Sequence, residues 1–201
     1  GASISTTESG LWVEGTMEIP GFSGVAMRGT VNFRTGEISV SGKADITIKG
    51  FTIANATVTL GTSGVSFAGT LNVPHLSSIA ISGRVDKDGH FSITARATLA
   101  LLGYKISDAY VSFSDTGFFI EGLLSIPGVS SIRVNGSIGP TGQIAISGTT
   151  EITVAGYKFA NAFFSFSNSG FRISSDVNLL GFMSLTVSGL ISTTGSFDIA
   201  G

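Results

Sequence analysis

The chain copies itself about every 53 residues, and that self-similarity limits the folds open to it more than any other feature. Gly10, Gly64, Gly117 and Gly170 correspond, as do Pro20, Pro74 and Pro127, with Leu180 at that place in the fourth copy. Gly36, Gly89, Gly142 and Gly195 form a second matched set. The segments GFTIANATV, GYKISDAYV and GYKFANAFF, starting at Gly50, Gly103 and Gly156, form a third. The repeats occupy residues 10–63, 64–116, 117–169 and 170–201, the last incomplete, so 1–201 reads as one continuous array cut from a longer one.

Each copy holds a finer period of 12 to 14 residues, a stretch of alternating apolar and polar residues closed by a turn signal. Period-two alternation is the mark of a strand with one buried face. Val65, Phe67, Leu71 and Val73 share one phase, with Ser66, Ala68, Thr70 and Asn72 in the other, and Val25, Met27, Val31 and Phe33 repeat the apolar phase on another strand. Turns such as RTGE, KDGH, PTGQ and TTGS, and also TSGV, DTGF and NSGF, place glycine where a tight turn needs positive φ. The expected fold is all-β: an antiparallel meander of about 15 short strands, four to a repeat.

A small residue sits at the centre of almost every strand, in the apolar phase: Gly15, Gly29, Gly42, Ala56, Gly69, Gly83, Ala95, Ala109, Gly122, Gly136, Gly148, Ala162, Ser175 and Gly189, with Gly201 closing the series. In a meander in register these residues form a column, where missing side chains let strands bend and backbones approach. The column predicts a crease that folds the sheet into two layers, solenoid-like, with Val65 and Phe67 facing Leu71 and Val73. At roughly 4.8 Å per strand, about fifteen strands extend on the order of 70 Å, so an elongated body is expected.

Charge placement agrees with a one-sided core. Glu14, Glu18, Arg28, Lys43, Asp45, Arg84, Asp86, Arg96, Asp108, Glu121, Arg133, Glu151, Arg172, Asp176 and Asp198 all fall in the outward phase, and the other charges fall at turns or strand ends. With 11 basic and 13 acidic residues and no basic run, the chain lacks the footprint of a nucleic-acid binder. The absence of cysteine excludes disulfides, thiolate nucleophiles and Cys-ligated metals. No apolar run approaches the ~20 residues of a membrane-spanning helix.

Chemistry-bearing constellations are sparse. His75 and His90, the two imidazoles, fall in loops, and sister repeats carry Gly21, Gly128, Gln143 or Ser196 at those places, so neither reads as a general base or ligand. Asp86-Lys87-Asp88-Gly89 imitates the start of a calcium loop but lacks the later acidic ligand, and reads as an Asp-Gly turn. Glycine spacing follows strand centres and turns, not a phosphate cradle. Asn55-Ala56-Thr57 and Asn135-Gly136-Ser137 match the glycosylation acceptor pattern at mid-strand positions poorly suited to modification. No catalytic residue, cofactor or metal ligand is predicted. Phe67, Phe113, Phe118, Phe164 and Phe166 read as core. Trp12, Tyr110, Phe119 and Phe163 fall outward, as candidate surface contacts or as rings shielded by their neighbours.

Laid over each other, SGVSFAGTLNVPHLSSIAISG, TGFFIEGLLSIPGVSSIRVNG and SGFRISSDVNLLGFMSLTVSG resemble the tandem Gly/Ser/Thr-rich β repeats of large bacterial secreted or cell-surface proteins. The resemblance implies an extracellular or cell-surface location and a structural or interaction role as a shaft, fibre or adhesin stalk. Its partners would be neighbouring repeats or further copies, through end-to-end self-association. A more distant likeness to the creased, groove-forming sheets of bacterial lipid-transport proteins implies a lipid-binding alternative. A third arrangement compatible with the alternation is an outer-membrane barrel with the apolar phase facing lipid.

Overall fold

The computed structural model describes residues 2–18, 22–86, 88–154, 156–179 and 183–200. Pro20, Gly21, Lys87, Leu180 and Gly201, which the repeat alignment uses, lie outside them. Sixteen strands follow one another: β1 (Ser3–Thr7), β2 (Gly10–Met17), β3 (Val25–Asn32), β4 (Ile38–Ile48), β5 (Phe51–Gly61), β6 (Gly64–Asn72), β7 (Ile79–Val85), β8 (Ser92–Leu101), β9 (Tyr104–Ser114), β10 (Gly117–Ser125), β11 (Ile132–Ile138), β12 (Ile144–Val154), β13 (Tyr157–Ser167), β14 (Gly170–Leu179), β15 (Met183–Ile191) and β16 (Phe197–Ala200). The fold is all-β, and the repeats begin at β2, β6, β10 and β14, at the four matched glycines. The strand ahead of the expected fifteen is β1, whose SISTT is too polar to show an apolar phase.

Every strand pair is antiparallel and sequential. The strands form two open sheets, β1 to β7 and β8 to β16 in order, and neither closes into a barrel. Contacts divide the chain into two compact units. The first contains Gly1–Val73, Ser78–Thr94 and Ser112–Gly117, and the second contains Pro74–Ser77, Ala95–Val111 and Phe118–Gly201.

Turn chemistry fixes the register at each strand end. In the four matched turns a backbone amide closes on a carbonyl across the loop: Asn32 to Glu37, Asp86 to His90, Gly139 to Gln143 and Ser192 to Ser196. The glycine of each turn, Gly36, Gly89, Gly142 and Gly195, has φ between 69° and 91°. At the opposite end of the first two repeats lie a two-residue hairpin and the loop after the first strand. Lys49-Gly50 and Leu102-Gly103 both have two residues at positive φ, the geometry that matches the twist of the flanking strands. Beside them a loop serine accepts from the third strand, Ser23 Oγ from the Thr47 amide, Ser77 Oγ from Ala100 and Ser130 Oγ from Thr153. Each repeat therefore has a turn end and a loop end.

Burial follows the alternation. Phe67, Phe113, Phe118, Phe164 and Phe166 are buried, and so are Leu71 and Val73. Every charged residue assigned outward is exposed, and Ser175 is the one polar residue buried among the described residues. Phe33 departs from expectation: it is 66% exposed although it continues the apolar phase of Val25, Met27 and Val31.

The small residues do not face one another as a straight column. Several step by two positions between neighbouring strands and lie opposite a large side chain: Gly15 opposite Met27, Gly29 opposite Val40, Gly83 opposite Phe67, Gly122 opposite Val134 and Gly148 opposite Phe164, whereas Ala56 lies opposite Ala44 and Ala162 opposite Thr150. Many are nonetheless obligatory. A Cβ on Gly29 would come 2.0 Å from the Ser39 carbonyl oxygen, one on Gly42 2.1 Å from that of Ala26, and one on Gly189 2.2 Å from that of Asp198. In a flat strand Cβ stands perpendicular to the sheet; here its direction points into the neighbouring backbone, which means the strand has rolled. Fourth strands bend by another device. Asn55, Asp108 and Asn161 hold φ of 49° to 53° immediately before the fully buried Ala56, Ala109 and Ala162. The ladder shifts register beside Asn55, between Ala54 and Thr57, and the Asn55 amide is taken up by Asp45 Oδ1 at 2.8 Å.

The loop end of one repeat packs on the turn end of the next, about four strands further along. In the first unit the Phe51 ring of β5 meets Phe113 of β9 at 5.3 Å, and Phe22 meets Phe67 and Phe91 at 6.1 and 5.9 Å. In the second unit Tyr104 of β9 meets Phe166 of β13 at 5.2 Å, and its hydroxyl donates to the Ile191 carbonyl. The repeat's alignment places Phe51 with Tyr104 and Phe113 with Phe166, so this is one contact made twice. A single small residue bends a strand without reversing it. With twist accumulating from strand to strand, a bent half passes over strands further along, which is how rings of β5 and β9, and of β9 and β13, come to meet.

Candidate functional site

The two histidines sit at turns and loops, outside the strands. Asp86 organises the β7–β8 turn: its Oδ1 accepts the amides of Asp88 and His90, each at 2.9 Å, and its carbonyl accepts from Gly89. That is the Asp-Gly turn read from the sequence. His90 is exposed, and its Nδ1 lies 2.6 Å from Asp115 Oδ2. The bond to Asp115, then the charge of Asp115 and those of Asp86 and Asp88, raise the imidazole pKa above 6.5. A group whose pKa is raised on folding contributes stability that is fully present below the unfolded value and lost as pH rises through the folded one. The His90 ring should therefore titrate above 6.5 by NMR, and Asp115→Asn should move its midpoint back down. An unchanged midpoint in that variant would exclude the pair as the cause. His75 is exposed at φ 65° and closes a loop, its carbonyl accepting from Leu102.

No group of three or more His, Asp or Glu poised for a metal occurs among the described residues. Asn55 and Asn135 are exposed, and Asn55 serves the bend of β5. An open depression of about 850 Å³ in the first unit is bordered by Glu14, Arg28, Ser41, Lys43 and Thr57, with Gly15 and Gly42 in its lining. Most of its wall is the outward face, with Met27 from the apolar phase beside the two glycines, and its charges are of both signs.

The outward aromatics are exposed, as the phase assignment required: Trp12 39%, Tyr110 41%, Phe119 43% and Phe163 49%. Trp12 belongs to the first unit and the other three to the second, and none of the described ring contacts joins two of them. Tyr110 lies beneath the Arg96 guanidinium, 6.0 Å from its ring centre, and is in part shielded by it.

Three further apolar side chains are exposed: Ile4 at 65%, Phe33 at 66% and Leu185 at 45%. Phe33 and Leu185 carry the apolar phase of their strands, whereas Ile4 is the single apolar residue of β1. The apolar gap between Phe159, Ile173, Val187 and Phe197 in the second unit has no room for a water molecule. Neither a protein-family model, a curated protein nor a solved structure matches this chain.

Proposed function

We propose that the chain is a non-catalytic structural repeat module, a shaft or stalk segment of a larger extracellular or cell-surface protein of the fibre or adhesin kind. The observation that carries this reading is the recurrence of one stacking contact, Phe51 on Phe113 and Tyr104 on Phe166, along a chain whose repeats differ elsewhere in surface detail. A unit that buries its apolar face only against the next unit suits a body whose purpose is length. Support also comes from the outward phase, rich in Ser and Thr, and from connections so short that no inserted loop is available to build a catalytic site.

The lipid-binding alternative needs the apolar phase to line an accessible groove. Instead its central members, among them Ile53, Leu71, Ile106, Phe113 and Leu124, are buried against protein. Native mass spectrometry with lipid extraction on the purified chain tests the choice. The module reading expects a lipid-free species; acyl chains in stoichiometric amounts would overturn it in favour of lipid handling.

A further inference from the structure

We propose that the open depression on the outward face of the first repeat binds an acidic saccharide, with Arg28 and Lys43 taking its carboxylate and Glu14 its hydroxyls. The site goes beyond the structural-module reading and does not rest on it. The depression, about 850 Å³, lies within the size range of small-molecule sites. It crosses β2 to β5 where Gly15 and Gly42 place no side chain over the backbone. Three charges border it on successive strands: Glu14 on β2, Arg28 on β3 and Lys43 on β4. The register sets Glu14 opposite Arg28, Arg28 opposite Ser41 and Lys43 opposite Thr57. All three charges are exposed, and among the described residues none is held in an ion pair or a side-chain hydrogen bond. Their donors and acceptors are available to a ligand.

Sister repeats engage the matching charges within the protein. Arg96, at the place of Lys43, lies over the ring of Tyr110, and Glu121, at the place of Glu14, pairs with Arg133 at 2.9 Å. In the first repeat Thr57 stands where Tyr110 and Phe163 stand in the second and third, and Ala26 stands where Arg133 does. Both engagements are thereby lost while the charges remain. Arg28 is an addition, since Ser82, Asn135 and Ser188 hold its place in the other repeats. Two cations and one acid make a local excess of positive charge on a chain of net charge −2. That excess favours an anion, and the planar guanidinium fork matches a carboxylate. Glu14 opposes a doubly charged phosphate but accepts hydrogen bonds from hydroxyls, and Ser41 and Thr57 add hydroxyls of their own. Trp12, two residues from Glu14 along β2 and so on the same face, is 39% exposed and offers a flat apolar platform to a pyranose ring. A carboxylate and several hydroxyls carried on one ring are the groups of an acidic saccharide.

Trp12 is the single tryptophan of the chain, so its fluorescence reports on this face. Titration with trigalacturonate should give a saturable change with a millimolar or tighter Kd, and calorimetry should return the same value. Maltotriose, a neutral saccharide of the same length, should bind about tenfold more weakly or worse, the effect of losing a charged hydrogen-bond partner. Arg28→Ala and Lys43→Ala should each weaken trigalacturonate binding about tenfold or more, and Arg28→Lys, which keeps the charge but not the fork, should fall between. Arg96→Ala in the second repeat should bind like wild type. The side chains changed are exposed, so folding should be kept, which circular dichroism verifies. No saturable binding of trigalacturonate, equal binding of maltotriose, or Arg28 and Lys43 variants that bind like wild type would each overturn the proposal. Displacement of trigalacturonate by an equal concentration of inorganic phosphate would also overturn it, since the site would then hold any anion. Lipid extraction bears on the module reading alone, so the two readings fail separately.

Discussion

Phe113→Ala should lower stability by about 3–5 kcal/mol, the largest loss expected from any single truncation in this chain. The ring is fully buried and meets Phe51 at 5.3 Å and Phe91 at 4.9 Å, both edge-on. Its removal forfeits the transfer of a whole aromatic side chain and leaves a hole between a loop end and a turn end, neither of which can close over it without shifting its strand. For a chain of this size the loss corresponds to a fall in Tm of about 10 °C or more. A cycle with Phe51→Ala should show coupling of about 0.5–1.5 kcal/mol, because the two rings act as a pair. Phe33→Ala, with an exposed ring in the same repeat as Phe51, should stay within about 0.5 kcal/mol of wild type. Equal effects at Phe33 and Phe113, read by thermal or urea unfolding, would contradict the stacking described.

Gly136→Val comes second. An added Cβ would stand 2.2 Å from the Ala145 carbonyl oxygen and 2.8 Å from the Ile146 Cα, both backbone atoms, at φ 158°. Neither atom can swing away as a side-chain tip could, so β11 must separate from β12 or lose its bend. A cost of about 3 kcal/mol is expected, at the upper end for overpacking. Gly83→Val should cost less, about 1–2 kcal/mol, because the nearest atom to its Cβ is the Ile93 Cγ1 at 2.7 Å, which a rotamer change can move. The control is Gly61→Ala, where the nearest atom is 4.0 Å away and the change should be close to neutral. Indistinguishable melting of the Gly136 and Gly61 variants would remove the physical basis for small residues at strand centres.

What the sequence made legible was whatever is local. Alternation identified every strand from β2 to β16, because a half-buried strand writes its burial in period two. The turn glycines at positive φ were readable for the same reason. The bend in the fourth strands was readable in principle: Asn or Asp stands before alanine at residues 55, 108 and 161, and these are the non-glycine residues that best tolerate positive φ. Their chemistry drew attention instead as a sequon and an outward acid. What could not be read was which halves meet. That depends on how far a bent strand travels over its neighbours, a property of twist summed over several strands and not of any residue. Phe33 departs from its phase on the same ground, since a residue's phase says which way it points but not whether anything lies there.

The central claim, that the loop end of each repeat rests on the turn end of the next, is most directly tested by nuclear Overhauser contacts between selectively labelled aromatic rings. The account predicts contacts from Phe51 to Phe113 and from Tyr104 to Phe166, ring centres 5.3 and 5.2 Å apart. Contacts from Phe51 to Leu60 in the other half of its own strand, with none to Phe113, would contradict it.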